Sequence, residues 1–515
     1  MDGSPETISD PPAPTPSPPQ PRRLVLELAL PPGQADRLPL VVRGQEERRA
    51  APLRLTWYDT PDFGLAAEGL CLVQSLHARE TVWRLERLVP EPGAVGSPGM
   101  LSTVLAEAAE PLALAAALPS PLAPVAGFEG HSRMLRTRDG VELTLICGTL
   151  GAAAPLHESA AQRCCRVLLA GPQASVAALA AWLAGPLNLL LPEASLAAEA
   201  MALAGGTAPV RRHAALELPA DKPVGEAFAA LVAQLAAVIL REAPRAGPAE
   251  PEPAHQMRVA VRRLRSAIGL FARAVRCPEL TACKTELRAL ARTLGPARDW
   301  DVFAGGIGRA VTASFADDRA VGLLMDAAER RRQESYAALR HYLDSAPFRR
   351  LLLALAVLAA ARPWEDAGAE AEPAAPASRQ AELAGGPLAG FAARALERRL
   401  RPLRAPGDDI EKLPAEALHG VRLHGKRLRY ACEFFAPLFP GRGARRFIRR
   451  LTVLQERLGQ MNDGAVAASL MAELEPVPGY AGGVVRGFVA AQAARRRSRA
   501  GRSWRKFHRL DPFWG

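Results

Sequence analysis

Lysine is scarce in this 515-residue chain, where five lysines stand against 60 arginines. Aromatic residues make up 5%, too few rings to suggest a surface that stacks nucleic-acid bases, and no nucleic-acid reader motif is present. The seven cysteines are odd in number, include no C-x-x-C pair and place Cys164 beside Cys165. That usage suggests neither a disulfide framework nor a zinc site, and it fits a reducing cytoplasm. Long apolar runs are also missing. The longest, Leu351 to Ala361, falls well short of the roughly 20 residues that a spanning helix requires, so no membrane segment is expected. The opening MDGSPETISD and the proline-rich PPAPTPSPPQP lack the charged start and apolar stretch of a secretory signal, and residues 1–21 read as a disordered tail.

What the chain does have is length for two or three domains and an uneven charge. Its net charge is +12, but residues 1–210 hold 15 Arg or Lys against 21 Asp or Glu, leaving 50 against 32 beyond. An acidic first part and a strongly basic second part point to an anionic partner for the second. The stretches LVLELAL, LRLTWYD and TVWRLERL, with VELTLICGTL, alternate as strands do. From Ala174 to Leu203 alanine and leucine recur at helical spacing until AGGTAP breaks the pattern. Beyond that boundary nearly everything is helical, with loops expected at PRAGPAEPEPA and WEDAGAEAEPAAPASRQ. The expected fold is α+β and multidomain, with an all-α C-terminal part.

The helical part repeats itself at an offset of 164 residues. HQMRVAVRRLRSAIGLF from His255 to Phe271 aligns with HGVRLHGKRLRYACEFF from His419 to Phe435, and LGPARD ending at Asp299 aligns with LGQMND ending at Asp463. At about 100° per residue, His255, Arg258, Arg262 and Arg265 share one stripe, while Val261, Leu264, Ile268 and Phe271 face the other way. In the second copy Val421, Leu428, Cys432 and Phe435 point inward. Like charges at these spacings repel by a few tenths of a kcal/mol per pair. A lone cationic stripe is more often a solvated face, but here it occurs twice in register with almost no glutamate, and guanidinium groups grip phosphate oxygens two at a time. The candidate anion-binding residues are His255, Arg258, Arg262, Arg263, Arg265, Arg288, Arg298, His419, Arg422, Lys426, Arg427 and Arg429.

Neither histidine has a second histidine at i+4 or a carboxylate cluster in sequence, so a hydrogen-bonding role is expected and no metal or cofactor is assigned. Asp299 and Asp463 either orient the arginines or, more simply, cap helices after a glycine turn. Lys284, Arg292, Arg445, Arg446, Arg449, Arg450 and the run Arg495 to Arg497 are further basic positions that would widen the patch. Gly420 to Lys426 spells G-x-x-x-x-G-K, but Arg427 replaces the Ser or Thr of a phosphate loop and the surroundings read as helix, so no nucleotide site is expected.

The doubled H-x-x-R-x-x-x-[RK]-R-x-R and LG-x-x-[RN]-D motifs resemble the CHAD family, the conserved histidine α-helical domain, over about residues 215–512, with repeats near 215–350 and 384–512. The resemblance implies two four-helix bundles related by a pseudo-twofold axis, meeting around a groove for inorganic polyphosphate. Asn462 stands where the first copy has Arg298, a departure that weakens the second site. The segment YDTPDFGLAAEGLCL from Tyr58 to Leu72 resembles the CYTH family of triphosphate-tunnel domains, which implies an antiparallel β-barrel with helices over residues 22–205. That family's catalytic positions are depleted here. Arg23, Val25 and Glu27 fall on its E-x-E-x-K strand, Cys71 and Val73 on two arginines, Ile146 near an acidic turn and Leu196 on a late lysine. Chemistry that clamps phosphates with two metal ions needs several converging carboxylates, so no triphosphatase activity is expected.

The expected function is therefore non-enzymatic binding of inorganic polyphosphate, in the cytoplasm and with the polyphosphate granule as a candidate location. The first alternative is a metal-dependent triphosphatase or other organic-phosphate hydrolase, and the second is nucleic-acid binding.

Overall fold

The computed structural model describes residues 23–42, 46–47, 49–77, 80–88, 103–108, 121–152, 161–205, 218–365, 376–474 and 479–515. The expected proline-rich tail, the core of the loop near residue 370 and most of the AGGTAP boundary lie outside the described residues.

The first half is an antiparallel sheet of β1 (Arg23–Leu30), β2 (Glu46–Glu47), β3 (Ala51–Asp59), β4 (Leu70–His77), β5 (Glu80–Arg87), β6 (Thr103–Ala108), β7 (Ala123–Arg136), β8 (Glu142–Ala152) and β9 (Gln162–Pro172). Its path runs β1-β9-β8-β7-β3-β4-β5-β6, with β2 paired to β7. The sheet curls as a half-barrel, and no ladder joins β1 to β6 among the described residues. Small helices α1 (Leu38–Val41) and α2 (Gly64–Ala67) lie between strands, followed by α3 (Gln173–Leu183) and α4 (Leu196–Leu203). The helical pattern read from Ala174 to Leu203 resolves into these last two helices, because Gly185, Pro186 and Pro192 interrupt it.

The YDTPD segment has a structural task. Asp59 is fully buried, and its carboxylate accepts hydrogen bonds from the backbone N–H of Thr60 (2.7 Å), Leu65 (2.9 Å) and Ala66 (2.9 Å). The otherwise orphaned donors that open α2 are satisfied in this way. The strand register also corrects the cysteine expectation. Cys147 on β8 sits directly opposite Cys165 on β9 and the two form a disulfide, a pairing that an 18-residue separation in sequence does not announce.

The second half is helical: α5 (Val224–Glu242), α6 (Pro251–Phe271), α7 (Pro278–Phe303), α8 (Arg309–Ser314), α9 (Arg319–Leu343), α10 (Ala346–Ala361), α11 (Pro376–Gly385), α12 (Leu388–Arg404), α13 (Ala415–Phe435), α14 (Arg442–Glu473) and α15 (Gly479–His508). The 164-residue offset carries the starts of α5, α6 and α7 onto those of α12, α13 and α14 without slippage. A pseudo-twofold axis relates the copies, because equivalent residues bond to each other reciprocally. Val224 N–H donates to Gly386 O (3.1 Å), and Leu388 N–H donates to Lys222 O (3.0 Å). Phe271 and Phe435, equivalent and both fully buried, meet with ring centroids 5.9 Å apart.

One hydrophobic core runs through both halves. The alternation of β1 turns Leu24, Leu26, Leu28 and Leu30 to one face, and they join Val176, Ala180 and Leu183 of α3 and Ile239 and Leu355 of the helical half in a continuous cluster. Polar contacts lock the same junction: Arg349 donates to Ala184 O (2.9 Å) and Asn188 Oδ1 (2.7 Å), and Arg350 to Ala181 O (3.1 Å). Helix α5 alone among the described helices is long and apolar enough to cross a membrane, but 78% of that stretch is buried inside the protein.

Candidate functional site

The two basic helices α6 and α13 and their successors α7 and α14 converge on one cavity of about 190 Å³. Its wall contains Arg258 with Arg422, Arg262 with Lys426, Arg298 with Asn462, Asp299 with Asp463 and Val302 with Val466, five pairs that each differ by 164. His255 and Val259 complete it. The two copies therefore do not make two sites. Each contributes equivalent side chains to a single site on the pseudo-twofold axis.

The reason is helical rotation. In α6, Met257, Val261, Leu264 and Ile268 are buried, which turns His255, Arg258 and Arg262 toward the seam with α13, and Val421 and Leu428 do the same for Arg422 and Lys426. The LG-x-x-[RN]-D segments correct an expectation: both lie inside unbroken helices, so Asp299 and Asp463 cap nothing. They face the arginines, with Arg258 Nη2 3.6 Å from Asp299 Oδ1.

Five cationic side chains against two carboxylates leave this wall with an excess of three positive charges. The site pays for that crowding in its ionisation. Burial, then Arg422, Arg262 and Arg258, push Lys426 down to about 8. Burial likewise lowers Arg262 and Arg422, and burial followed by Arg298 lowers His255. The carboxyls of Asp299 and Asp463 are raised by burial despite the arginines beside them. Arg262 Nε, Arg422 Nε and His255 Nδ1 are buried donors or acceptors with no hydrogen-bond partner. Groups in that condition cost free energy until something satisfies them. The arrangement suits an anion with many oxygens.

Of the twelve residues singled out in the sequence, His255, Arg258, Arg262, Arg298, Arg422 and Lys426 come together here. The other six stand elsewhere. Arg263 is rotated about 100° from Arg262, lies over the Phe434 ring at 5.3 Å and lines a different cavity. Arg429 is ion-paired to Glu433 at 2.6 Å. Arg265, Arg288, His419 and Arg427 are exposed and outside the cavity wall. Tyr430, which the motif comparison passed over, is buried between Arg262 (5.4 Å) and Arg429 (4.9 Å) as a cation-π platform. Within the basic run of α15, Arg496 reaches Gln460 O (2.9 Å) beside the site, whereas Arg497 donates to Glu411 O and Leu413 O and holds a loop. The G-x-x-x-x-G-K string lies wholly within α13.

Residues 222–472 match the CHAD domain family. An uncharacterized protein of Mycobacterium tuberculosis strain CDC 1551 is 29% identical over 267 residues, which are 51% of this chain and 47% of that protein. The chain thus spans about half the length of the curated relatives it matches. The crystal structure of the CHAD domain from the plant Ricinus communis shares 30% identity, covers 58% of this chain and 96% of its own, and superposes with a TM-score of 0.47. For PptA from Streptomyces chartreusis the values are 20% identity, 55% and 99% coverage, and 0.41.

Proposed function

Residues 222–472 form a CHAD domain, and from that premise we propose that the chain binds inorganic polyphosphate at the α6–α13 seam. The observation that carries this reading is the paired wall, in which equivalent arginines from two copies surround one cavity with three positive charges in excess and unmet buried nitrogens. Phosphate oxygens would satisfy those nitrogens, and planar guanidinium groups are suited to hold them in pairs. A cytoplasmic location, at polyphosphate granules, goes with this reading.

We assign no triphosphatase activity to the first half. The positions where triphosphate-tunnel domains are expected to carry ligands hold Cys71 and Val73, both buried, and Ile146 and Leu196. Arg23 and Val25 replace the two carboxylates of the opening strand, and Glu27, at its lysine position, accepts from Arg166 Nε (3.1 Å) and Leu196 N–H (2.8 Å). Metal-dependent release of orthophosphate from tripolyphosphate by the intact chain would overturn that assignment.

Titration with long-chain polyphosphate across a salt series, with double-stranded DNA of matched phosphate content as rival, tests the binding. Tighter binding of polyphosphate, weakening with salt as released counterions require, is the expected result. Equal or tighter binding of DNA would refute it and reduce the seam to a general polyanion surface.

A further inference from the structure

The concave side of the curled sheet encloses a second cavity, of about 470 Å³, remote from the basic seam in sequence and in composition. Its size falls in the range of small-molecule sites, roughly 300–1,000 Å³. The wall is mainly aliphatic and aromatic: Leu55 and Trp57 from β3, Val73 from β4, Ile146 from β8, Leu168 from β9 and Leu196 from α4. Leu55, Ile146 and Leu168 are only half-buried, and Met134 at the rim is 38% exposed. Apolar surface on this scale, left facing a cavity, is a recognised mark of a ligand site.

The charges in the wall show what kind of ligand would be accepted. Arg166 is engaged by Glu27 at 3.1 Å and by Glu199 at 2.5 Å. Arg84 is engaged by Glu107 at 3.5 Å and Glu86 at 4.0 Å. Arg166, the buried guanidinium, is thus answered by carboxylates, whereas Arg84 is half-buried with no hydrogen-bond partner at its Nε and Arg49 stands exposed at the margin. At the buried end an entering carboxylate or phosphate would meet Glu27 beside Arg166, which two carboxylates already hold, and desolvating an anion under those conditions is costly. Neutral hydrogen-bonding capacity is present instead. His77 Nε2 and Ser132 Oγ lie 2.7 Å apart in the wall, and the indole N–H of Trp57, a residue 1% exposed, has no partner.

We propose that the cavity of the curled sheet binds a neutral, predominantly apolar molecule carrying a hydroxyl or carbonyl oxygen, such as a fatty alcohol. This assignment is independent of polyphosphate binding.

Equilibrium titration of the full chain with Nile red, followed by competition with dodecanol, dodecanoate or tripolyphosphate, tests it. Saturable dye binding is expected, with dodecanol displacing the dye and dodecanoate at least roughly tenfold weaker. Tripolyphosphate should leave the dye in place. Ile146→Trp, which fills the cavity, and Leu168→Asn, which makes its wall polar, should each weaken dye binding by about tenfold or more at unchanged circular dichroism. Should the tryptophan variant fail to fold, Leu168→Asn and the competition series carry the same reading. Failure of the dye to saturate, displacement by tripolyphosphate, equal competition by dodecanoate, or unchanged affinity in a folded variant would each overturn the proposal.

Discussion

The depressed Lys426 ammonium makes two opposite pH trends measurable in one protein. In the folded chain Lys426 titrates near 8 rather than at its ordinary 10.5. Between those values the unfolded chain holds a proton that the folded chain has released, so the contribution of Lys426 to stability without ligand should rise with pH across that window, against the opposite trend of the buried thiols of Cys164, Cys277 and Cys283, which burial raises to about 11–12. Binding should move the other way, because the anion interacts with the protonated amine and the free protein loses that charge above about 8. One charge-assisted hydrogen bond is worth about 1.5–3 kcal/mol, which corresponds to roughly a ten- to hundredfold fall in affinity. The salt slope should shrink by about 0.7 for the lost contact. His255 is displaced below 6.5 and therefore titrates outside the window. The assay is polyphosphate titration and thermal melting of the same samples at successive pH values, with Lys426→Arg as control. That variant should keep its affinity through the alkaline range, and the melting temperature of the wild type should gain on that of the variant as pH rises through the window, the thiols being common to both. Wild-type affinity that stays flat across the window while remaining salt-sensitive would refute Lys426 as a ligand to the anion.

Charge reversal of Arg258, Arg262, Arg422 and Lys426 together should abolish polyphosphate binding with helical circular dichroism intact, and retained affinity would mark the seam as a merely solvated face. Phe271→Ala, at the contact between copies, should cost about 3–5 kcal/mol in urea unfolding. Arg166→Met should destabilise by about 3–5 kcal/mol in the same measurement, because Glu27 is left buried without its cation.

Local pattern made much of this fold legible. Alternation in LVLELAL and LRLTWYD marks β1 and β3, and the 164-residue offset anticipates helix starts to the residue. Tertiary geometry was less accessible. Gly295 and Pro296 read as a turn, yet the helix continues through them, since a proline removes one hydrogen bond and packing on Leu294 and Ala297 holds the rest. The stripe placed Arg265 with Arg258 by angle, but the cavity ends before the next turn, and rotation alone carries no information about where a neighbouring helix stops. The spacing of the two stripes alone gave no sign that they share one groove, which only the family resemblance implied, because that depends on the axis between Phe271 and Phe435. The Cys147–Cys165 pairing likewise follows from strand register, not from spacing.

The pseudo-twofold axis through the basic seam also bears on direction. A nucleic-acid strand has unlike ends, so on a two-sided site it meets one copy with its sugar-phosphate sequence running one way and the other copy with it reversed. A linear phosphate polymer reads the same from either end, and equivalent arginines on opposite sides can hold it in the same manner. Arg298 facing Asn462 is the one break among the paired charged and polar positions. Restoring it with Asn462→Arg would match the charge at that pair, and a ligand without polarity would gain from both sides at once.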